Sequence, residues 1–128
     1  MFEKKTFGEN SIILEEGKKG DAAYLIAKGR VEVRKGIRSE SPQVLGVLGQ
    51  GEVFGEIAMF DDRPHMATVV AVDTVQVIAI SREDFRAKVG EMDPVIKGVV
   101  LQLVGRARQM ADNLMEKKDV DWAKWKKS

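Results

Sequence analysis

The sequence predicts a mainly β fold with helices appended at its C-terminal end. Three observations carry this reading. β-rich runs recur at roughly ten-residue spacing through the first three-quarters of the 128 residues. Glycines at 17, 20, 29, 46, 49, 51 and 55 punctuate them, and the capped helix starts at Ser81 and Asp93 come after them. Short strands spaced in this way close into a barrel or a sandwich.

Residues 11–14 are the first run. Residues 24–27 and 31–33 flank Lys28, Gly29 and Arg30, where Gly29 supplies the positive φ of a tight hairpin. Val31 and Val33 around Glu32 alternate as a half-buried strand does. Residues 44–48 form the next strand, and 66–72 and 74–80 form a last apolar pair joined at Asp73. Ser81, Arg82, Glu83 and Asp84 resemble a capping box that opens a short helix over about 81–90, with Gly90 as its break. Asp93 before Pro94 is a second start signal, a capping carboxylate followed by proline at the first helical position. From there to about Lys118 nothing stops a helix. Its apolar positions Ile96, Val100, Leu103, Ala107, Met110 and Leu114 alternate by four and three residues, as a self-pairing seam does. The same stripe would also serve to pack the helix on its own barrel. Trp122 and Trp125 in the tail share a helical face beside lysines, suited to packing on the body or to a partner.

Composition excludes several chemistries. With no Cys there are no disulfides, zinc ribbons or thiol nucleophiles, and one His cannot build the imidazole clusters of most Zn, Cu or non-haem Fe sites. No Ser/His/Asp arrangement is readable, so an enzyme is not expected. Lys and Arg total 21 against 20 Asp and Glu, which leaves no whole-chain field toward nucleic acid or an anionic membrane. The N-terminus lacks the apolar core of a signal peptide, and the longest apolar run, 22–27, is far short of a membrane span. The cytoplasm is the expected location.

The chemically informative stretch is 49–69. Gly55 lets the backbone turn tightly and approach a ligand. Glu56, Ile57, Ala58 and Met59 can then open a short helix whose first N–H groups make an anion site. A carboxylate at Glu56 suits a ligand with hydroxyls, such as a ribose, beside the anion. Pro64 fixes the chain before the next strand, where Met66 and Ala67 offer further N–H groups and small Ala67 allows close approach.

Phe54-Gly55-Glu56-Ile57-Ala58, followed by Pro64, Ala67, Thr68 and Val69, resembles the phosphate-binding cassette of the cyclic nucleotide-binding domain family. That family includes catabolite activator proteins and kinase regulatory subunits. Upstream, Phe7, Ile12, Gly17, Gly20, Asp21, Tyr24 to Ile26, Gly29, Val31 and Val33 fit its glycines and core, as Ile78, Ile80 and Phe85 do downstream. The resemblance implies a double-stranded β-helix, the jelly-roll β-roll, with a short cassette helix and C-terminal helices. It places the β-roll over 1–92, the cassette over 54–69, and a long helix and tail over 93–128, in one domain overall. It implies a ligand of the cyclic AMP type held by Gly55, Glu56, Ile57, Ala58, His65, Met66, Ala67 and Thr68, with no obligatory cofactor and no metal. Members preferring cyclic GMP often carry Thr where Met66 stands, so cyclic GMP is the lesser candidate. His65 stands where the family has the arginine that pairs with the cyclic phosphate. A guanidinium gives phosphate a permanent bidentate charge pair, whereas an imidazole of ordinary pKa ~6.5 is mostly neutral at pH 7. Arg63, two residues away, falls at a position that faces solvent in most members. The long helix pairs with a second copy in many members, so a homodimer through the Ile96–Leu114 seam is expected. A helix-turn-helix module has no room after it. A competing reading keeps the fold as a dimerisation or interaction module without nucleotide.

Overall fold

The computed structural model describes residues 2–56 and 64–116, apart from the side chains of 107, 108 and 111–116. Eight strands precede two helices: β1 Phe2–Phe7, β2 Ile12–Leu14, β3 Ala22–Lys28, β4 Val31–Lys35, β5 Gln43–Leu48, β6 Val53–Phe54, β7 Thr68–Ala71, β8 Val75–Ser81, α1 Arg82–Gly90 and α2 Pro94–Glu116. The strands make two four-stranded antiparallel sheets, ordered β1-β8-β3-β6 and β2-β7-β4-β5. Alternation sets the core. Val31 and Val33 of β4 and Val75, Val77 and Ala79 of β8 are buried, and they meet Leu14, Ile26, Leu48, Phe54 and Val69 between the sheets. β7 is buried at all four positions, which accounts for its near-continuous apolar run.

Two sequence expectations are corrected by the topology. The segments around Gly29 do not form a hairpin, and 66–72 does not pair with 74–80. β3 lies in one sheet and β4 in the other, and β7 and β8 are likewise divided. Both connections are corners at which the chain crosses between sheets, and the two corners pack on each other. Arg30 donates its N–H to Asp73 Oδ1 at 2.9 Å, and the Val72 N–H donates to the Arg30 carbonyl at 2.9 Å. Gly29 has φ +92°, and a Cβ there would lie 2.5 Å from the Thr74 carbonyl oxygen. β1, too polar at Glu3, Lys4 and Lys5 to read as a strand, forms the sheet edge by pairing along β8 from Phe2–Ile80 to Phe7–Val75.

The helix starts agree with the sequence. The Ser81 side chain caps α1 by accepting the Asp84 N–H at 3.1 Å, and Val89 anchors the helix by burial. Asp93 caps α2 by accepting the Val95 N–H at 2.9 Å. α2 leaves the roll: residues 91–99 are all exposed, and Val95, Ile96 and Leu103 are 72%, 53% and 56% accessible. Over residues 91–99 the chain is therefore not packed on its own barrel. The tail with Trp122 and Trp125 lies outside the described residues.

The corner geometry predicts a graded glycine sensitivity. Gly29→Ala combines a left-handed backbone with a clash and should cost about 2 kcal/mol or more. Gly17→Ala, at φ +87° with open space around it, should cost only about 1 kcal/mol. Denaturant midpoints measured side by side check the order, and equal costs would show that the corner contact is unimportant.

Candidate functional site

β6 ends at Phe54, whose ring stacks on Tyr24 with centroids 5.2 Å apart. The chain then turns at Gly55, with φ +76°. A Cβ there would lie 3.1 Å from the Ala22 carbonyl oxygen and 3.2 Å from Leu14 Cδ1, so glycine is required by both conformation and space. Glu56 follows, partly buried. Burial pushes its carboxyl pKa upward, and its own backbone N–H pulls weakly the other way. The expected cassette helix, with Ile57 and Ala58, lies outside the described residues, as does Arg63.

The second half of the site is residues 64–67, strapped to the β2–β3 connection. His65 exchanges two backbone hydrogen bonds with it: its N–H donates to the Lys18 carbonyl and its carbonyl accepts the Gly17 N–H, both at 2.9 Å. Its imidazole lies on Gly20, where any Cβ would collide with ring atoms Cε1 and Nε2. Burial lowers its pKa below the ordinary value, so the ring is neutral at pH 7. Gly20 also faces the start of α1. Its carbonyl accepts Arg82 Nη2 at 3.0 Å, and the Arg82 N–H donates to the Asp21 carbonyl at 2.6 Å.

Thr68 has no exposed surface, and its hydroxyl accepts the Glu16 N–H at 3.0 Å. Through that hydroxyl Thr68 fastens β7 to the β2–β3 connection. The N–H groups of Met66 and Ala67, in contrast, have no acceptor among the described residues. Two residues that sequence reasoning missed complete the surroundings. Lys35 Nζ donates to the Met66 carbonyl at 2.8 Å, and Glu16 pairs with Lys35 at 3.3 Å. No local pattern marks either one, because their partners are far away in sequence. His65 is thus held on the 15–21 connection, while Gly55 lies against Leu14, Ala22 and Tyr24 of the strands that flank that connection. Among the described residues no three His, Asp or Glu side chains gather as metal ligands would, and no helix is long and apolar enough to cross a membrane.

The family model "Cyclic nucleotide-binding domain" matches residues 4–91. The chain belongs to the cyclic nucleotide-binding domain family. The Cyclic AMP receptor protein of Thermus thermophilus is 30% identical over 108 residues, 84% of this chain and 50% of its own length. A cAMP-dependent protein kinase regulatory subunit of Aspergillus fumigatus is 36% identical over 87 residues, 68% of this chain and 20% of its own. The cAMP-bound form of the EAL enzyme Bd1971 superposes with a TM-score of 0.70 at 30% identity, covering 87% of this chain and 29% of that one. The chain therefore spans half or less of the length of these proteins. Its two sheets and following helices are the family's β-roll.

The half-buried imidazole predicts a pH effect on stability. Its folded pKa lies below the unfolded value of about 6.5, so the unfolded chain binds more protons in that window. The contribution of neutral His65 is present above about pH 6.5 and is lost as pH falls below it. His65→Gln should flatten the part of the stability–pH curve between about pH 7.5 and 5.5 that the ring supplies. Paired denaturation curves check this, and superimposable pH profiles would show that the ring is solvated.

Proposed function

We propose that this chain is a non-enzymatic cyclic nucleotide sensor, of the cyclic AMP rather than the cyclic GMP type, that transmits occupancy to its C-terminal helices. The observation that carries the reading is the pair of backbone N–H groups at Met66 and Ala67, without acceptors among the described residues, on the β6–β7 connection that also carries the Gly55 turn and the carboxylate of Glu56. Such N–H groups suit a phosphate, and a carboxylate suits ribose hydroxyls. The relatives that carry cyclic AMP in their names or as bound ligand support the nucleotide's identity. The cyclic phosphate would lie on the N–H groups of Ile57, Ala58, Met66 and Ala67, with the ribose on Glu56.

His65 occupies the resembled family's arginine position and offers a neutral ring in place of a bidentate cation. The missing charged hydrogen bond corresponds to roughly 1.5–3 kcal/mol, a ten- to hundred-fold loss of affinity. The route outward runs from the His65 ring through Gly20 to Arg82 at the start of α1. Calorimetry with cyclic AMP and cyclic GMP at about pH 6 and pH 8, on either side of the ordinary imidazole pKa of ~6.5, is the direct test. His65→Arg should tighten cyclic AMP at least about tenfold. Glu56→Gln should weaken it by about tenfold or more while stabilising the free fold at neutral pH. The stability gain follows because a carboxyl raised above its unfolded pKa is destabilising wherever it is ionised. No heat at millimolar nucleotide at either pH would end the proposal.

A second reading, a pairing module that has lost its nucleotide, is favoured by the exposed face of α2. Ile96, Leu103 and Met110 of the seam are exposed and Val100 is partly so, while the side chains of Ala107 and Leu114 are outside the described residues. An apolar face this open suits a second copy of the same helix. Sedimentation should give a dimer that Leu103→Lys converts to a monomer, and a parent chain that stays monomeric at high concentration removes the seam.

A further inference from the structure

The Met66 carbonyl and the Ala67 N–H belong to one peptide unit, and no cis peptide is present among the described residues. In a trans peptide these two groups point in opposite directions, so fixing one fixes the other. Lys35, the last residue of β4, fixes the carbonyl by donating from Nζ at 2.8 Å. The ammonium is itself braced. Glu16 Oε2 lies 3.3 Å from it, while Glu16 Oε1 accepts the Gly36 N–H at 2.9 Å. The Glu16 backbone is in turn held by Thr68 Oγ1. On the other side of the peptide, the Ala67 N–H has no acceptor among the described residues.

We propose that Lys35 is a positioning residue for the anion site: it clamps the Met66 carbonyl and so turns the Ala67 N–H toward the cyclic phosphate. The proposal rests on the nucleotide-binding reading above. Two contributions can be told apart. A direct field from the ammonium is offset by the adjacent Glu16 carboxylate, and one of its donors is committed to the carbonyl. Orientation is therefore the larger effect. Without the clamp the peptide could rotate and present a carbonyl oxygen, which repels phosphate, in place of a donor.

The test compares the parent chain with Lys35→Met, Lys35→Arg and Glu16→Gln. Cyclic AMP calorimetry is run at low and high salt, and the residual dipolar coupling of the Ala67 N–H is measured without ligand. Lys35→Met should weaken cyclic AMP about tenfold, the worth of one well-aimed donor to a charged group. The factor should be similar at both salt levels, because orientation is not screened. The Ala67 coupling should shift in the same variant. Lys35→Arg, which still donates, should stay within about twofold of the parent, and Glu16→Gln should fall between the two. Parent-like affinity in Lys35→Met, an unmoved Ala67 coupling, or a loss that vanishes in high salt would each overturn the clamp. A parent chain that binds no nucleotide overturns the functional reading alone, since the Ala67 coupling still decides whether Lys35 orients the peptide. Should Lys35→Met not fold, Glu16→Gln carries the same readouts.

Discussion

The hydroxyl of Thr68, with no accessible surface, accepts the N–H of Glu16 from 52 residues away. A buried hydroxyl without a partner costs a desolvation penalty, so this bond is held by the core around it. Its consequences run outward in sequence and in space. It fixes the start of β7 against the 15–21 connection, and it places the Glu16 carboxylate where it braces Lys35 and caps the Gly36 N–H. Lys35 in turn holds the Met66 carbonyl. The two backbone hydrogen bonds of His65 to Gly17 and Lys18 close the same strap from its other end. A chain of three contacts thus links the donors of the candidate anion site to one core residue.

The second organising constraint is the crossing of the chain between sheets. Gly29 and Asp73 mark two corners that pack face to face, with Arg30 bonded to Asp73 through both its backbone N–H and its side chain, the latter at 3.7 Å. The ion pair is exposed and contributes little by itself. The close approach of Gly29 to the Thr74 carbonyl does more, since no other residue fits. Strands that follow one another in sequence thus end in different sheets, and the core fills from both. β8 is the spine of one sheet, pairing with β1 on one side and β3 on the other, and its inward valines are among the most buried residues.

Much of this was legible locally, and the reasons can be given residue by residue. The caps at Ser81 and Asp93 could be read because a side-chain acceptor and the N–H groups it serves lie within three residues. The alternation in β4 marked its inward face because strand period is a property of the backbone itself. Gly55 could be read because its neighbours form an ordered motif. β1 was not legible, since an edge strand with charged residues has no apolar period to detect. Its strand character comes from β8 beside it. Lys35 and Glu16 were equally silent, looking like ordinary surface charges until the fold brought them to Met66.

The sequence by itself determined the order of most elements, the two helix starts, the inward face of β4, the Gly-Glu turn and the family to which they belong. All of these depend on short-range chemistry: dihedral preference, capping and periodicity. Tertiary structure alone decided which strands pair, because a hydrophobic alternation says which face is buried but not against what. It also decided that Thr68 is a fastener, that the His65 ring rests on Gly20, and that the start of α2 stands clear of the roll. Each of those outcomes depends on packing between segments tens of residues apart.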